Sequence, residues 1–330
     1  MSRKLIISIS VLMLAVLACN LPTTSPSSTP VIVPNTAEPS GPTATPLLTD
    51  TTLPSAPTTT TAITNTPGGP TATPGDLTLE MLRNGTFLTP YFNRTVTLVN
   101  GTFSDGSGAT YYSVQMLNTY AFGDLNGDGK NDAAIILAEN QGGSGSFESV
   151  IGILDQGGTP HQVSQAQLGD RVFVNSVDIS SGVIHLDMVV HGPTDPMCCP
   201  SLPQKQNFWL ISNRLWLMRL TSSIGGTEHV ININSPAIWS TVANPFTVTG
   251  IMSVLPFENT LAYQIYLTDG TKINESSFTV TPSGGTTGTF THVFNLGSAG
   301  ITDWVILQFV DVSAADGSTI SLGSVILKTP

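Results

Sequence analysis

The sequence predicts a mainly β protein, in which an antiparallel β-rich domain is followed by a β-sandwich. Only 10% of the 330 residues are charged, while Thr, Ser, Asn and Gly are abundant. This composition favours a β-rich extracytoplasmic protein over a charge-rich helical cytosolic one. Short segments rich in Val, Ile, Thr and aromatic residues alternate with Gly, Asn and Asp clusters, and no amphipathic run reaches helical length.

The first 18 residues have the organisation of a secretory signal peptide. Arg3 and Lys4 form a charged head, and the stretch from Leu5 to Leu17 is apolar apart from two serines. This stretch is too short to predict a membrane-spanning helix. We therefore expect the remainder of the chain to be exported.

The signal peptide ends in Val16-Leu17-Ala18-Cys19. This tetrapeptide resembles the lipobox of bacterial lipoproteins. The resemblance implies that the Cys19 thiol is acylated, with palmitate as a typical chain, and that Cys19 becomes the first residue of the mature protein. Two or more acyl chains hold a protein stably on a membrane. The predicted location is thus the extracytoplasmic face of the cell membrane; the alternative is an ordinary signal peptide with an incidental cysteine.

The charge balance limits the possible partners. Removing the first 18 residues takes away two basic residues and no acidic one, so 9 Lys and Arg face 22 Asp and Glu, a net charge of −13. Such a field repels nucleic acid and anionic lipid headgroups. We therefore expect no nucleic-acid partner, and attachment to the membrane through the lipid.

Residues 19–75 are predicted to be a disordered tether. They consist largely of Thr, Pro, Ser and Ala, with almost no charge and no hydrophobic period. Such a segment offers too little apolar surface to form a core. Its expected role is that of a stalk that lifts the folded part away from the membrane.

Residues 76–222 are predicted to form the first domain, which is long enough for a core of its own. One or two helical turns at Leu77–Leu82 precede a series of strands. Within the last segment, Ser212-Asn213-Arg214 separates two apolar runs and predicts a hairpin turn. The predicted strand segments are Thr95–Val99, Tyr111–Leu117, Ala133–Leu137, Ser149–Leu154, Arg171–Val177, Val183–Val190 and Asn207–Leu220.

The run from Phe122 to Asp132 carries the clearest chemical signal of this domain. Calcium prefers six to eight oxygen ligands, and alternate residues of a tight loop can supply them. Here the backbone carbonyl of the seventh residue would serve, and Gly127 and Gly129 permit sharp turns. The candidate ligands, at loop positions one, three, five, seven and nine, are Asp124, Asn126, Asp128, Lys130 and Asp132.

Because Ile135 stands where an EF-hand requires glutamate, the loop is not expected to be flanked by helices. The run resembles the calcium loop of integrin-type FG-GAP repeats, in the form strand, loop, strand. The resemblance covers only about a dozen residues, and without further copies a propeller is not predicted. It implies a structural calcium ion. The competing interpretation is a solvated turn, since Asn-Gly and Asp-Gly are common hairpin dipeptides.

Cys198 and Cys199 are the only thiols left once Cys19 is acylated. An ordinary long-range disulfide within one chain is therefore impossible. Flanking prolines favour a disulfide between the two neighbours, which would form a rigid loop element. A redox or soft-metal site with Met197 and His191 is one alternative, and pairing between chains is another.

Catalytic patterns are mostly absent from the sequence. Ser144 lies in Gly-Gly-Ser-Gly-Ser, which misses the serine-hydrolase elbow at its final residue. The five histidines show no metal-ligand spacing. We therefore expect a protein that is not an enzyme.

Residues 229–330 are predicted to be an immunoglobulin-like β-sandwich, because seven short strands with turn signals span about 100 residues. Hydrophobic packing must join its sheets, since the usual cysteine pair is missing. The predicted strands are Val230–Ile233, Phe246–Ile251, Leu261–Leu267, Ser277–Val280, Thr289–Leu296, Trp304–Val312 and Ile320–Leu327.

This segment resembles the immunoglobulin-like domain of bacterial spore-germination proteins. The residues that carry the resemblance are Ser235-Pro236, Pro245–Gly250, Pro256–Asn259 with Asp269-Gly270, Gly288–Phe290 and Asp316–Ser318. The resemblance implies an accessory domain for interaction or assembly, and it does not imply sporulation.

Two classes of function remain at this point. The first is a lipid-anchored surface protein whose β domains bind an envelope protein or wall glycan without catalysis. The second is a small extracytoplasmic hydrolase or a thiol- or metal-handling module in residues 76–222. The absence of a paired nucleophile and base favours the first.

Overall fold

The computed structural model describes residues 75–296 and 304–329, which lie within one compact unit. The predicted signal peptide, Cys19 and nearly all of the tether lie outside the described residues. The described part is mainly β and its sheets are antiparallel, which confirms the predicted fold class. Among the described residues, no helix has the length and apolarity needed to cross a membrane.

The first half of the described chain begins with a short helix, α1, where one or two helical turns were predicted. Thr78 caps this helix, because its side-chain oxygen accepts a hydrogen bond from the Met81 amide. The elements are α1 (Leu79–Arg83), β1 (Thr86–Leu88), β2 (Thr95–Thr97), β3 (Thr102–Asp105), β4 (Tyr112–Gly123), β5 (Asp132–Asn140), β6 (Phe147–Asp155), β7 (Pro160–Asp170), β8 (Phe173–Ser180), β9 (Val183–Val190), β10 (Leu202–Ile211), β11 (Arg214–Ile224) and β12 (Thr227–His229).

The second half continues without a further α-helix among the described residues. A 3-10 turn at Phe257–Asn259 and a very short strand, β14, interrupt the series of longer strands. The elements are β13 (Ile231–Ser235), β14 (Ser240–Thr241), β15 (Phe246–Met252), β16 (Thr260–Leu267), β17 (Lys272–Thr279), β18 (Thr281–Gly284), β19 (Thr287–Phe294), β20 (Trp304–Val312) and β21 (Thr319–Lys328).

Strands β3 to β7 form a five-stranded meander, and β5 lies at its centre. Both faces of β5 are buried, which explains its continuous apolar run Ala133–Leu137. Ile135 and Leu137 face the core under α1, β1 and β2, whereas Ala134 and Ile136 face the core shared with β8 to β11. Strand β5 therefore fixes both layers of the first half.

A ten-stranded sheet joins the two halves of the chain. Its main order is β17-β16-β20-β21-β11-β10-β9-β8, with β12 and β14 added at β11 and β21. The halves meet where Arg219–Thr221 of β11 pairs with Ser321–Gly323 of β21. We call this junction the seam. The predicted domain boundary between residues 222 and 229 remains a prediction, with one sheet running across it.

The C-terminal half is a two-layer sandwich. The four-stranded sheet β13-β15-β19-β18 packs against the β17-β16-β20-β21 part of the large sheet. Its core contains a cluster of aromatic rings, in which Phe290 lies 5.2 Å from Phe309 and Phe294 lies 5.0 Å from Tyr263 between ring centroids. Apolar packing therefore joins the two sheets, in the absence of the usual cysteine pair.

Candidate functional site

The predicted calcium loop connects the neighbouring antiparallel strands β4 and β5. Gly127 and Gly129 have φ values of +81° and +82°, a region that glycine adopts without steric cost. The strand, loop, strand arrangement therefore places Asp124, Asn126 and Asp128 in one turn.

The side chains of this turn bind its own backbone. The two carboxylate oxygens of Asp124 accept hydrogen bonds from the amides of Gly127 at 2.7 Å and Gly129 at 2.9 Å. Asp128 accepts from the Lys130 amide at 2.9 Å, and this bond is the main reason that the pKa of Asp128 lies below its ordinary value. The loop conformation is thus supported by its own residues.

Asp132 differs because it is fully buried. Its two carboxylate oxygens accept hydrogen bonds from the amides of Leu125 and Asp155, each at 2.9 Å. Burial raises the pKa of Asp132, and these two bonds act in the opposite direction. Asp132 therefore ties the loop to the end of β6.

The loop contains the oxygen donors of the expected calcium site. Carboxylate, amide and carbonyl oxygens are the donors that calcium prefers, and a carboxylate oxygen that accepts one hydrogen bond retains a further lone pair. In the described part of the chain, however, no group of three or more His, Cys, Asp or Glu side chains is arranged to hold a metal ion. The donor chemistry fits calcium, and calcium binding remains a proposal.

Cys198 and Cys199 are joined by a disulfide across Cα atoms 3.8 Å apart. Their exposed loop is closed by Asp195, which accepts hydrogen bonds from the Gly192 amide at 2.8 Å and the Ser201 amide at 2.7 Å. These bonds lower the pKa of Asp195. The loop is held by its own polar groups as well as by the disulfide.

His191 lies beside this loop and lines a cavity of about 350 Å³ together with Met197. Both ring nitrogens of His191 are buried and have no hydrogen-bond partner. The sulfurs of Cys198 and Cys199 are bonded to each other, whereas a metal ligand would be a free thiolate. The structure thus brings together the His and Met of the expected soft-metal alternative, without free thiols.

Buried carboxylates elsewhere in the first half have structural partners. Glu139 accepts hydrogen bonds from the amides of Tyr91 and Phe92 and from the hydroxyl of Tyr112. Glu148 accepts from the Val172 amide at 3.0 Å, and burial raises its pKa. Ser144 lies exposed between β5 and β6, with no helix after it. The two glutamates therefore hold neighbouring loop backbone through hydrogen bonds.

A buried pair of titratable side chains, His229 and Asp311, lies near the seam. It was not anticipated from the sequence. The Nδ1 atom of His229 is 3.8 Å from a carboxylate oxygen of Asp311. Burial raises the pKa of Asp311 to about 6 and lowers the pKa of His229. Both groups are therefore shifted toward their neutral forms.

A second concave site lies over the seam and has a volume of about 340 Å³. We call it the seam cavity. Strands β10, β11 and β21 form one side, and β13 with the segment after it forms the other. A Cβ atom at Gly323 would lie 2.7 Å from the Ile231 carbonyl oxygen, so glycine permits this close approach. The lining residues are Asn207, Trp209, Met218, Arg219, Ile231, Asn232, Ile233, Pro236, Ala237, Ile238, Gly323, Ser324 and Val325.

Three tryptophans contact one another beside the seam cavity, and one of them lines it. Trp209, which lines it, stacks on Trp239 with ring centroids 6.2 Å apart and planes 24° from parallel. Trp304 contacts the Trp239 ring in an edge arrangement, with ring centroids 5.2 Å apart. Trp239 is 45% exposed and has φ of +65°, a conformation that costs a bulky residue roughly 1–2 kcal/mol. The surrounding packing holds an exposed indole in a strained position.

The polar groups of the seam cavity are neutral or cationic. Arg219 donates a hydrogen bond to the Asn232 side-chain oxygen at 2.9 Å, and the Asn207 side-chain oxygen lies 3.1 Å from Nδ1 of His185. The hydroxyl of Ser324 is buried without a partner. No Asp or Glu lines the cavity. This arrangement can bind a ligand that offers hydroxyl or amide groups.

The fold of the C-terminal half is that of a non-catalytic, binding-type immunoglobulin-like module. Residues 230–318 match the Gmad2 family, described as the immunoglobulin-like domain of bacterial spore germination. The match confirms the resemblance expected for this segment and covers well under half of the chain. No curated protein matches the chain.

Sequence reasoning did not identify the seam cavity. Its key residues come from four strands, of which β21 lies about 90 residues after the others; they are Trp209, Arg219, Asn232 and Ser324. The sequence offered only a weak signal for this cavity, namely its four tryptophans. Their positions in different segments do not show which of them contact one another. The loop from Asp124 to Asp132, which we call the acidic loop, was recognisable because its residues are contiguous.

Proposed function

We propose that this protein is a lipoprotein, held on the extracytoplasmic face of the cell membrane by acylated Cys19, that binds an envelope protein or wall glycan without catalysis. The observation that carries the binding role is the immunoglobulin-like sandwich at residues 230–318, whose family is typically non-catalytic. The seam cavity supports the same role, because polar groups converge there without a carboxylate.

The lipid anchor rests on the lipobox resemblance, which the described residues do not include. Changing Cys19 to Ala removes the acylated thiol, so the protein should move from the membrane fraction into the medium or the soluble envelope fraction. Metabolic palmitate labelling and fractionation measure this. The double variant Cys198→Ser/Cys199→Ser is the control and should retain both label and membrane location. Palmitate label that persists in Cys19→Ala would refute the anchor.

The binding role is tested with the full chain solubilised in detergent. We expect it to cosediment with purified wall glycan, or to be crosslinked to one envelope protein, without releasing soluble products from either. Release of sugar or peptide fragments by the purified protein would contradict a non-catalytic role. Failure to bind both materials would contradict the binding role itself.

We further propose that the loop from Asp124 to Asp132 binds a structural calcium ion. Its oxygen donors support this, as does its position between two strands of a rigid sheet. Bound calcium would stabilise the hairpin of β4 and β5 and would not take part in a reaction.

A thiol- or metal-handling role in residues 76–222 is the second candidate. It is favoured by His191, whose unpartnered nitrogens share a cavity with Met197. Under this candidate, copper(I) would bind reduced protein much more tightly than disulfide-bonded protein, and His191→Ala would abolish the difference. Equal, weak copper binding by both forms would exclude it.

A further inference from the structure

We propose that the seam cavity is a binding site for a neutral saccharide. This inference rests on the proposed binding role and names the class of ligand. The cavity would hold one or two sugar units of a wall glycan against Trp209, on which the exposed ring of Trp239 stacks. Arg219 and Asn232 would provide the polar contacts.

The size and shape of the cavity suit such a ligand. Its volume of about 340 Å³ falls at the lower end of the range for small-molecule sites. One wall belongs to the central strands of the ten-stranded sheet, and the close packing of Gly323 under Ile231 fixes the opposite wall. Most of the cavity is thus formed by strands, which position ligand contacts better than loops do, and the connecting residues Pro236–Ile238 complete it.

The tryptophans provide the apolar part of the site. Sugar rings carry C–H groups on their faces, and an indole offers a flat apolar surface for them. Trp239 remains 45% exposed although it stacks on Trp209 and contacts Trp304. An exposed indole held in a positive-φ conformation beside a cavity is expected at a binding site.

The polar groups indicate that the ligand is neutral. Arg219 is the one charged residue among those lining the cavity, and it already donates to the neutral side chain of Asn232. The chain as a whole has a net charge of −11, which disfavours an anionic polymer. Ser324 also lines the cavity, and its hydroxyl is buried without a partner.

A peptide ligand fits this site less well. Extended peptides commonly bind by adding a strand to an unpaired sheet edge. Strand β10 is paired on both sides, and β11 pairs with β21 at Arg219–Thr221 and Ser321–Gly323, so only a short unpaired stretch of edge remains beneath the cavity. A proline-rich peptide could still use the stacked rings of Trp209 and Trp239, and it is therefore the competing ligand in the test.

The experiment titrates the full-length protein in detergent with chitotriose, cellotriose and a proline nonapeptide, and follows tryptophan fluorescence and calorimetric heat. We expect saturable binding of at least one trisaccharide. Trp239→Ala should weaken it at least tenfold and Arg219→Gln several-fold. Phe257→Ala removes an exposed ring elsewhere in the sandwich and should leave the affinity unchanged. Thermal melting of each variant confirms that it is folded.

Three results would overturn the proposal. These are no binding of either trisaccharide, unchanged affinity in folded Trp239→Ala and Arg219→Gln, or binding of the proline peptide alone. Cosedimentation with whole wall glycan separates this failure from that of the proposed function. If glycan binding persists while both variants behave as wild type, the envelope role stands and the seam cavity is not its site.

Discussion

The acidic loop and the seam cavity differ in whether their polar groups have hydrogen-bond partners within the protein. In the loop, the carboxylates of Asp124 and Asp128 accept hydrogen bonds from amides two to five residues away. At the cavity, the Ser324 hydroxyl is buried without a partner, and the neighbouring polar groups come from separate strands. A loop whose polar groups are hydrogen-bonded to its own backbone is stable without a ligand. A cavity with unpartnered polar groups gains more free energy when a ligand binds.

Asp132 is the exception within the loop, and its replacement should have the largest effect on stability. Asp132→Ala leaves the buried amides of Leu125 and Asp155 without acceptors, so we expect a loss of about 3–5 kcal/mol in unfolding free energy. Urea denaturation without calcium measures this. Asp128→Ala, at an exposed position of the same loop, should cost less than about 1 kcal/mol. Equal losses in the two variants would remove the distinction between a structural and a solvated carboxylate.

Asp311 allows the cost of a buried carboxyl group near the seam to be measured by pH. Its folded pKa of about 6 exceeds the ordinary 3.8, so the folded state binds the extra proton between these values. Stability should therefore fall as pH rises from about 4 to about 6, by about 1–3 kcal/mol. Asp311→Asn should lack this fall and be more stable than wild type at pH 7. Urea denaturation at a series of pH values provides the measurement.

His229 faces Asp311 and contributes with the opposite sign. Because burial lowers its pKa, the unfolded chain takes up the proton first, and stability decreases as pH falls below 6.5. His229→Gln in the Asp311→Asn background removes this contribution. A pH profile that stays unchanged in Asp311→Asn would show that Asp311 is not the titrating group.

Calcium binding to the acidic loop should raise the free energy of unfolding by an intermediate amount. Extracellular calcium modules have dissociation constants of roughly 0.1–1 mM, so 10 mM calcium adds about 1–3 kcal/mol to the unfolding free energy. Asp124→Asn/Asp128→Asn should melt at the same temperature with calcium and with a chelator. Asp269→Asn is a matched control, because Asp269 also accepts a local amide but lies outside the loop. Wild-type melting that calcium does not change would contradict the proposed site.

The smallest effect on stability is expected at Ser324. Ser324→Ala removes a buried hydroxyl that has no partner, so the free protein should be unchanged or more stable by up to about 1 kcal/mol. A clear loss of stability would show that the hydroxyl has a structural partner in solution, and the contrast with the acidic loop would then disappear.

Much of the fold could be predicted from local patterns. Strands β9 and β20 coincide with the predicted Val183–Val190 and Trp304–Val312, because β-branched and aromatic residues alternate there between turn signals. The hairpin at Ser212-Asn213 was also predicted, and both residues have positive φ, as its tight turn requires. Strand β7, whose sequence is largely polar, was missed because it is defined by its pairing with β6.

The sequence by itself determined the fold class, the immunoglobulin-like segment and the acidic loop, because each depends on residues that are close along the chain. Only the tertiary structure decided that Arg219–Thr221 pairs with Ser321–Gly323 to make one sheet of both halves. It also decided that Trp209, Trp239 and Trp304 meet beside Ser324. Such contacts depend on strand register and packing between segments about 100 residues apart, which no local pattern specifies.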